Sequence, residues 1–217
     1  MQVIDLSKDN SVLNNFIREI RDVDIQKDSM RFRRNMERIG EVLAIELSKS
    51  LKYSRIQTQT PLGTADVNVI DEQIVIASIL RAGLTLHNGV LSIFDKAQNA
   101  FVTAYRKYST ANDFDICVDY ISSPDLTGKT LIIVDPMLAT GSSMEMSYCA
   151  LLQKGTPTNV HIISTIASKA AVEYLNNTMP QETKLWVAAI DNDINEHAYI
   201  VPGLGDAGDL AFGEKND

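Results

Sequence analysis

Residues 131–143 read LIIVDPMLATGSS. Four apolar residues, Leu131 to Val134, have the character of a strand buried on both faces. They stop at Asp135-Pro136 and give way to small and hydroxyl-bearing residues. The pattern is strand, turn and helix start, the repeating unit of an α/β sheet, in which ligands bind beyond the carboxyl ends of the strands. Small residues from Ala139 to Ser143 allow close backbone approach. Amide N–H groups at the helix entry, with the hydroxyls of Thr140, Ser142 and Ser143, can ring an anion, and a phosphate is the natural guest. Asp135 would repel that phosphate but can accept from sugar hydroxyls or, through water, hold a metal ion, so the stretch points to a phosphorylated sugar. The same residues also describe a well-capped junction with no ligand. They are not a nucleotide-hydrolase P-loop, because no Gly-Lys-Ser or Gly-Lys-Thr follows.

Outward from this stretch the rhythm repeats. Apolar runs at 74–80, 100–105, 160–166 and 185–190 are expected as further strands, and helices are expected at 83–94, 142–154 and 168–177. Alternation of this kind predicts an open twisted, mainly parallel sheet flanked by helices. Phe32, Met36, Ile39, Leu43 and Leu47 share one helical face, with Asp28 or Ser29 as cap, so a long amphipathic helix is expected to open the fold. RIQTQTPLGTADVNV predicts a hairpin turning at Pro61-Leu62-Gly63. Residues 107–124, with FDICVDYI, read as an antiparallel arm, and 195–213 as a glycine-punctuated hood loop. Nothing divides the chain, so 1–217 is expected as one domain.

The 217 residues carry 20 Lys plus Arg and 28 Asp plus Glu, a net charge of −8. That balance argues against a nucleic-acid partner. Cys117 and Cys149 are too few for a disulfide framework and are expected as reduced, buried thiols. The N-terminus lacks a signal-peptide pattern and no run is long enough to span a membrane, so a cytoplasmic location is expected. Two further strand ends are basic: 74–80 runs into Arg81-Ala82-Gly83, and 100–105 into Arg106-Lys107. Arginine suits bidentate recognition of phosphate or pyrophosphate.

Together these residues resemble the phosphoribosyltransferases, and among them the uracil phosphoribosyltransferase family. VDPMLATGSS is similar to that family's loop for 5-phosphoribosyl-1-pyrophosphate (PRPP), ILRAGL to its pyrophosphate segment and YIVPGLGDAGD to its uracil signature. The resemblance implies a phosphoribosyltransferase-like fold with a small hood and an antiparallel arm. It implies PRPP contacts at Arg81, Arg106, Asp135, Pro136, Met137, Leu138, Ala139, Thr140, Gly141, Ser142, Ser143 and Asp206, with Arg81, Asp135 and Asp206 catalytic. It implies uracil contacts at Ile200, Gly205, Asp206 and Ala207, largely through backbone groups complementary to the planar base. The implied reaction is uracil plus PRPP giving UMP and pyrophosphate, with Mg²⁺ bound mainly through PRPP and no dedicated nucleophile. A homodimer or larger homo-oligomer is implied, and GTP is a candidate activator. A regulator of the same fold, binding UMP or RNA with little turnover, is the alternative.

Four departures from the family pattern stand out. Ser142 replaces a glycine, Leu210 stands where a basic residue is usual, Glu214 follows Phe212-Gly213, and Lys107-Tyr108-Ser109 replaces the acidic motif that usually follows Tyr-Arg. Phosphate binding is expected to survive the first, and Glu214 to weaken affinity for PRPP. His87, His161 and His197 show no metal spacing and are expected to be structural or at the surface. Asp191 and Asp193 read as an acidic turn, Trp186 as core, and Arg31, Arg33, Arg34 and Arg38 as a solvated face paired with Asp28, Glu37 and Glu41.

Overall fold

The computed structural model describes residues 1–110 and 113–214, and the side chains of 1–103 and 120–214. The chain begins with strand β1 (Gln2–Asp5), helix α1 (Leu13–Arg21) and helix α2 (Ser29–Ser48), followed by strands β2 (Tyr53–Thr60), β3 (Gly63–Ile70) and β4 (Ile74–Ile79). Helix α3 (Gly83–Ile93) leads to β5 (Gln98–Thr110), β6 (Asp113–Ser122), β7 (Thr130–Val134) and the two-residue β8 (Met137–Leu138). The remainder is α4 (Ser142–Leu151), β9 (Asn159–Ser168), α5 (Lys169–Thr178), β10 (Lys184–Asp191), β11 (Asp193–Ile194), β12 (Ile200–Val201) and α6 (Ala207–Phe212).

The main sheet runs β1-β10-β9-β7-β4-β5-β6, with β8 paired to β9. Every pairing is parallel except β5 with β6. The expected mainly parallel sheet is therefore present, and the arm is the antiparallel edge. After β4 the chain builds β5 and β6 to one side, then crosses back to place β7 on the other. This reversal opens a crevice between the carboxyl ends of β4 and β7, where Ser78 is level with Val134.

Strand periodicity sorts the core into two layers. Ile74, Ile76, Ile132, Val134, Ile163 and Trp186 pack with α1, α2 and α3 on one face. Val75, Ala77, Leu131, Ile133, Ile162 and Val187 pack with Met144, Leu151, Ala171 and Leu175 of α4 and α5 on the other. The α2 helix starts as expected, with the Asp28 carboxylate accepting from Met30 N and Arg31 N at 3.1 Å each.

Helix α2 does not open the fold, because β1 and α1 precede it. The signal for α1 is Leu13, Phe16, Ile17 and Ile20, spaced for one helical face and packed on the core. Nor are both cysteines buried: Cys149 is exposed on α4, because the period of 3.6 carries it to the outer face while Met146 and Ala150 point inward. Cys117 lies outside the described side chains. The arginine-rich stretch of α2 is partly repaired by other partners than expected. Arg31 pairs with Glu19 and Arg34 with Glu37 and Glu41, whereas Arg33 donates to the Ala211 carbonyl at 2.7 Å.

Two glycines let α2 and α3 touch backbone to backbone. A Cβ on Gly89 would lie 2.0 Å from the Glu37 carbonyl oxygen, and one on Gly40 would lie 2.5 Å from that of Leu86. Gly89→Ala is expected to destabilise the protein by about 1–3 kcal/mol through overpacking, read from the midpoint of urea unfolding. A midpoint unchanged from the parent would show that the helices part without penalty.

Candidate active site

The crevice holds a cavity of about 410 Å³. Of the residues named from the sequence, Arg81, Asp135, Met137, Ser143, Gly205, Asp206 and Ala207 line it. Arg81 arrives on the turn after β4 and Asp135 directly after β7, so the two flank the point where the chain reverses. The wall opposite comes from residues 197–199 and 205–208.

Pro136 and Leu138 are buried, Leu138 within the second core layer, so their side chains support the turn rather than face the cavity. Ala139 accepts from the Ser168 hydroxyl at 2.6 Å, which ties the loop to β9. The oxygens of Thr140 and Ser142 lie 2.8 Å apart. Gly141 caps α4 at φ +82° with no side-chain cap; Ser142 N donates to the Thr140 hydroxyl at 3.4 Å, and the N–H groups of Ser143 and Met144 follow at the helix entry, where an anion can be held. A side chain at 141 would lie 3.0 Å from Tyr174 and 3.2 Å from the Ala171 carbonyl. The left-handed turn thus falls at Gly141, and Ser142 enters the helix without positive φ. The loss of the second glycine therefore imposes no backbone strain.

Ile200 is 3% exposed, belongs to the core and does not line the cavity. Gly205 has φ +93°. Asp206 caps α6 by accepting from Asp209 N at 2.9 Å. Arg106 lies outside the described side chains. Leu210 packs against the first core layer, and Glu214 is exposed and does not line the cavity.

The cavity lining also includes His197, expected to be structural or at the surface, Ala198, and Tyr199, which opens the YIVPGLGDAGD motif without being singled out as a contact. Their signal is Asn195, whose side-chain oxygen accepts from His197 N at 3.0 Å and Tyr199 N at 2.9 Å, folding the loop back on itself. Sequence reasoning misses the hood's anchor. Asp191 takes both ends of the Arg21 guanidinium at 2.8 and 2.9 Å and accepts from Gly203 N at 3.0 Å. The other two histidines are structural, as expected: His87 meets Asn99 at 2.8 Å, and His161 accepts from the Trp186 indole at 3.2 Å.

The family model described as uracil phosphoribosyltransferase matches residues 7–214. The chain belongs to the uracil phosphoribosyltransferase family. A Porphyromonas gingivalis protein named uracil phosphoribosyltransferase is 58% identical over 99% of this chain and 100% of its own length. A Methanothermobacter thermautotrophicus protein of the same name is 38% identical over 88% of this chain and 87% of its own. A solved Aquifex aeolicus structure superimposes with a TM-score of 0.86, at 26% identity and full coverage of both chains.

Within this uracil phosphoribosyltransferase framework Asp135 is the unusual acid. Burial pushes its carboxyl up to about 7, opposed only by a long hydrogen bond from Met137 N. Part of its surface still opens on the cavity, so solvent moderates the effect. Between about pH 4 and pH 7 the folded protein keeps a proton that the unfolded chain releases. Stability therefore falls as pH rises through that window, and the penalty is complete above it. Asp135→Asn is expected to stabilise the protein at pH 8 by about 1–3 kcal/mol and to flatten this decline. Urea midpoints of parent and variant from pH 4.5 to 8.5 decide it, and parallel curves would refute the assignment.

Proposed function

We propose that the chain transfers the 5-phosphoribosyl group of PRPP to uracil, giving UMP and pyrophosphate, in pyrimidine salvage. One observation carries the reading. The phosphate-ready turn at 135–143, the arginine after β4 and the glycine-rich segment 205–208 converge on one cavity at the sheet's reversal point. In this reading the α4 N-terminus and the hydroxyls of Thr140, Ser142 and Ser143 hold the 5-phosphate, Asp135 accepts from the ribose hydroxyls, and Arg81 and Arg106 receive pyrophosphate. Backbone groups of Ile200, Gly205 and Ala207 read the base, and Asp206 faces both substrates.

Cleavage of the glycosidic bond leaves positive character on the ribose and negative charge on pyrophosphate. Asp135 then lies toward the first, and Arg81 toward the second. The base, held in plane, bonds to C1′ through its ring nitrogen as the bond from C1′ to pyrophosphate breaks, and the nitrogen's proton passes to the departing pyrophosphate or to water, so no protein nucleophile is needed.

Among the described residues no three His, Cys, Asp or Glu side chains gather as a metal cage. Of the described residues lining the cavity, Asp135 and Asp206 are the carboxylates, a donor set suited to Mg²⁺ that would arrive largely ligated by PRPP. Bound there, Mg²⁺ supplies charge neutralisation of the leaving group.

The two core layers on either side of one sheet support reading 1–217 as one domain. Exposed Tyr53, Ile56, Leu62 and Val67 on the β2–β3 hairpin support a homo-oligomer. No helix among the described residues is long and apolar enough to cross a membrane, and we take the enzyme to be cytoplasmic. GTP as an activator is tested by adding it to the assay below.

The test is UMP formation from labelled uracil and PRPP with Mg²⁺, with cytosine, hypoxanthine and orotate as competing bases. Uracil-specific turnover is expected. A folded protein that binds PRPP or UMP without turnover would replace the enzyme reading with the regulator.

A further inference from the structure

We infer that Asp209 is a positioning residue, which fixes the Arg81 guanidinium at the cavity wall in readiness for pyrophosphate. Arg81 Nη2 donates to Asp209 Oδ1 at 3.1 Å and to the Gly213 carbonyl at 3.1 Å. Both bonds use one nitrogen. Among the described residues Nη1 and Nε of Arg81 take no protein partner, so each keeps an N–H to donate to an oxygen of a phosphate or pyrophosphate.

The two acceptors do not drift independently. Gly213 N donates to the Asp209 carbonyl at 2.9 Å, closing them into one turn, while Asp209 N is tied to the Asp206 carboxylate at 2.9 Å. Helix α6 is in turn held on α2 by Arg33, which donates to the Ala211 carbonyl at 2.7 Å. The fit between α6 and the Arg81 turn is close. A Cβ on Gly208 would stand 3.8 Å from both Arg81 Nη2 and Ala82 Cβ. Asp209 does not line the cavity, and it acts through the arginine.

An arginine ordered beforehand need not be immobilised when the ligand arrives, and that is an affinity gain. A carboxylate near an anion site opposes binding by charge. The Arg81–Asp209 pair is 42% and 35% exposed, however, so salt and water screen that repulsion while the orientation persists. Orientation is therefore the larger effect. The same helix begins at Ala207 in the base-reading segment, so α6 joins the uracil side of the cavity to the pyrophosphate side.

The inference rests on the proposed pyrophosphate role of Arg81, and the test separates the two. Pyrophosphate affinity with Mg²⁺ is measured by calorimetry, and KM for each substrate by steady-state kinetics, on the full chain. Asp209→Ala is expected to weaken pyrophosphate binding and raise KM for PRPP about tenfold, with KM for uracil changed less than twofold. Asp209→Asn, which keeps the acceptor, restores most of the loss. Asp209→Ser, too short to reach Nη2, serves as a second truncation. In an Arg81→Ala background, Asp209→Ala changes pyrophosphate affinity less than twofold.

Equal rises in both KM values, tighter pyrophosphate binding, or an undiminished effect in the Arg81→Ala background would overturn the inference. Intact pyrophosphate binding in Arg81→Ala itself would defeat the role proposed for Arg81. A loss in Arg81→Ala with none in Asp209→Ala would defeat only the present inference.

Discussion

Replacing Arg81 with alanine is expected to lower kcat/KM for UMP formation about a hundred- to a thousandfold. That is the loss typical when one preorganised donor is removed from developing negative charge. The side chain stands at the switch point of the sheet, lines the cavity and keeps two of its nitrogens unengaged among the described residues. Losing the ion pair to Asp209 accounts for little of this, since both partners are more than a third exposed and such pairs contribute about 0–1 kcal/mol. The thermal midpoint of Arg81→Ala should accordingly stay near the parent's while turnover collapses. Kinetics with both substrates varied, beside a melting curve, separate the two effects. Turnover within about threefold of the parent would remove Arg81 from the chemistry.

The second large effect falls on stability. Asp191→Ala is expected to cost about 3–5 kcal/mol, the range for breaking a buried pair by deleting one partner. Asp191 is 8% exposed and its Arg21 partner 21%, so the guanidinium left behind is largely cut off from water. The Gly203 N–H loses its acceptor as well, while Arg21 keeps only its 3.1 Å bond to the Gly203 carbonyl. These contacts hold the turn that leads into Gly205–Gly208. KM for uracil should therefore rise more than KM for PRPP in any variant protein that remains folded. Urea unfolding measures the first effect. Replacing both partners, as Arg21→Met with Asp191→Leu, should recover much of the stability but not the uracil affinity. A single-variant loss below about 1 kcal/mol would show that the hood is held by other contacts.

The pair also shows where sequence reading stopped. Asp191 and Asp193 read as an acidic turn, which is correct for Asp193 at the surface and incomplete for Asp191. Its partner lies 170 residues away on α1, a helix absent from the element order expected of the sequence. Its neighbours in sequence give Arg33 a solvated face, yet in the fold it donates to the Ala211 carbonyl. Leu210 and Glu214 likewise stand beside the GDAGD motif in sequence. In space Leu210 turns to the core and Glu214 to solvent.

Sequence by itself determined the alternation of strands and helices, the caps and the turn chemistry. These depend on neighbours within about four residues, through period-2 and period-3.6 burial and through the few residues that tolerate a left-handed turn. It also determined the family, because three motifs lie in order along the chain. Tertiary structure alone decided which strand ends meet, since the reversal between β4 and β7 is a fact of sheet order and not of local propensity. It decided as well that Arg81 is braced by Asp209 and Gly213, and that partial burial beside the cavity pushes the Asp135 carboxyl up to about 7. Desolvation and long-range ion pairing depend on what packs around a group, and that is set only when distant segments close on one another.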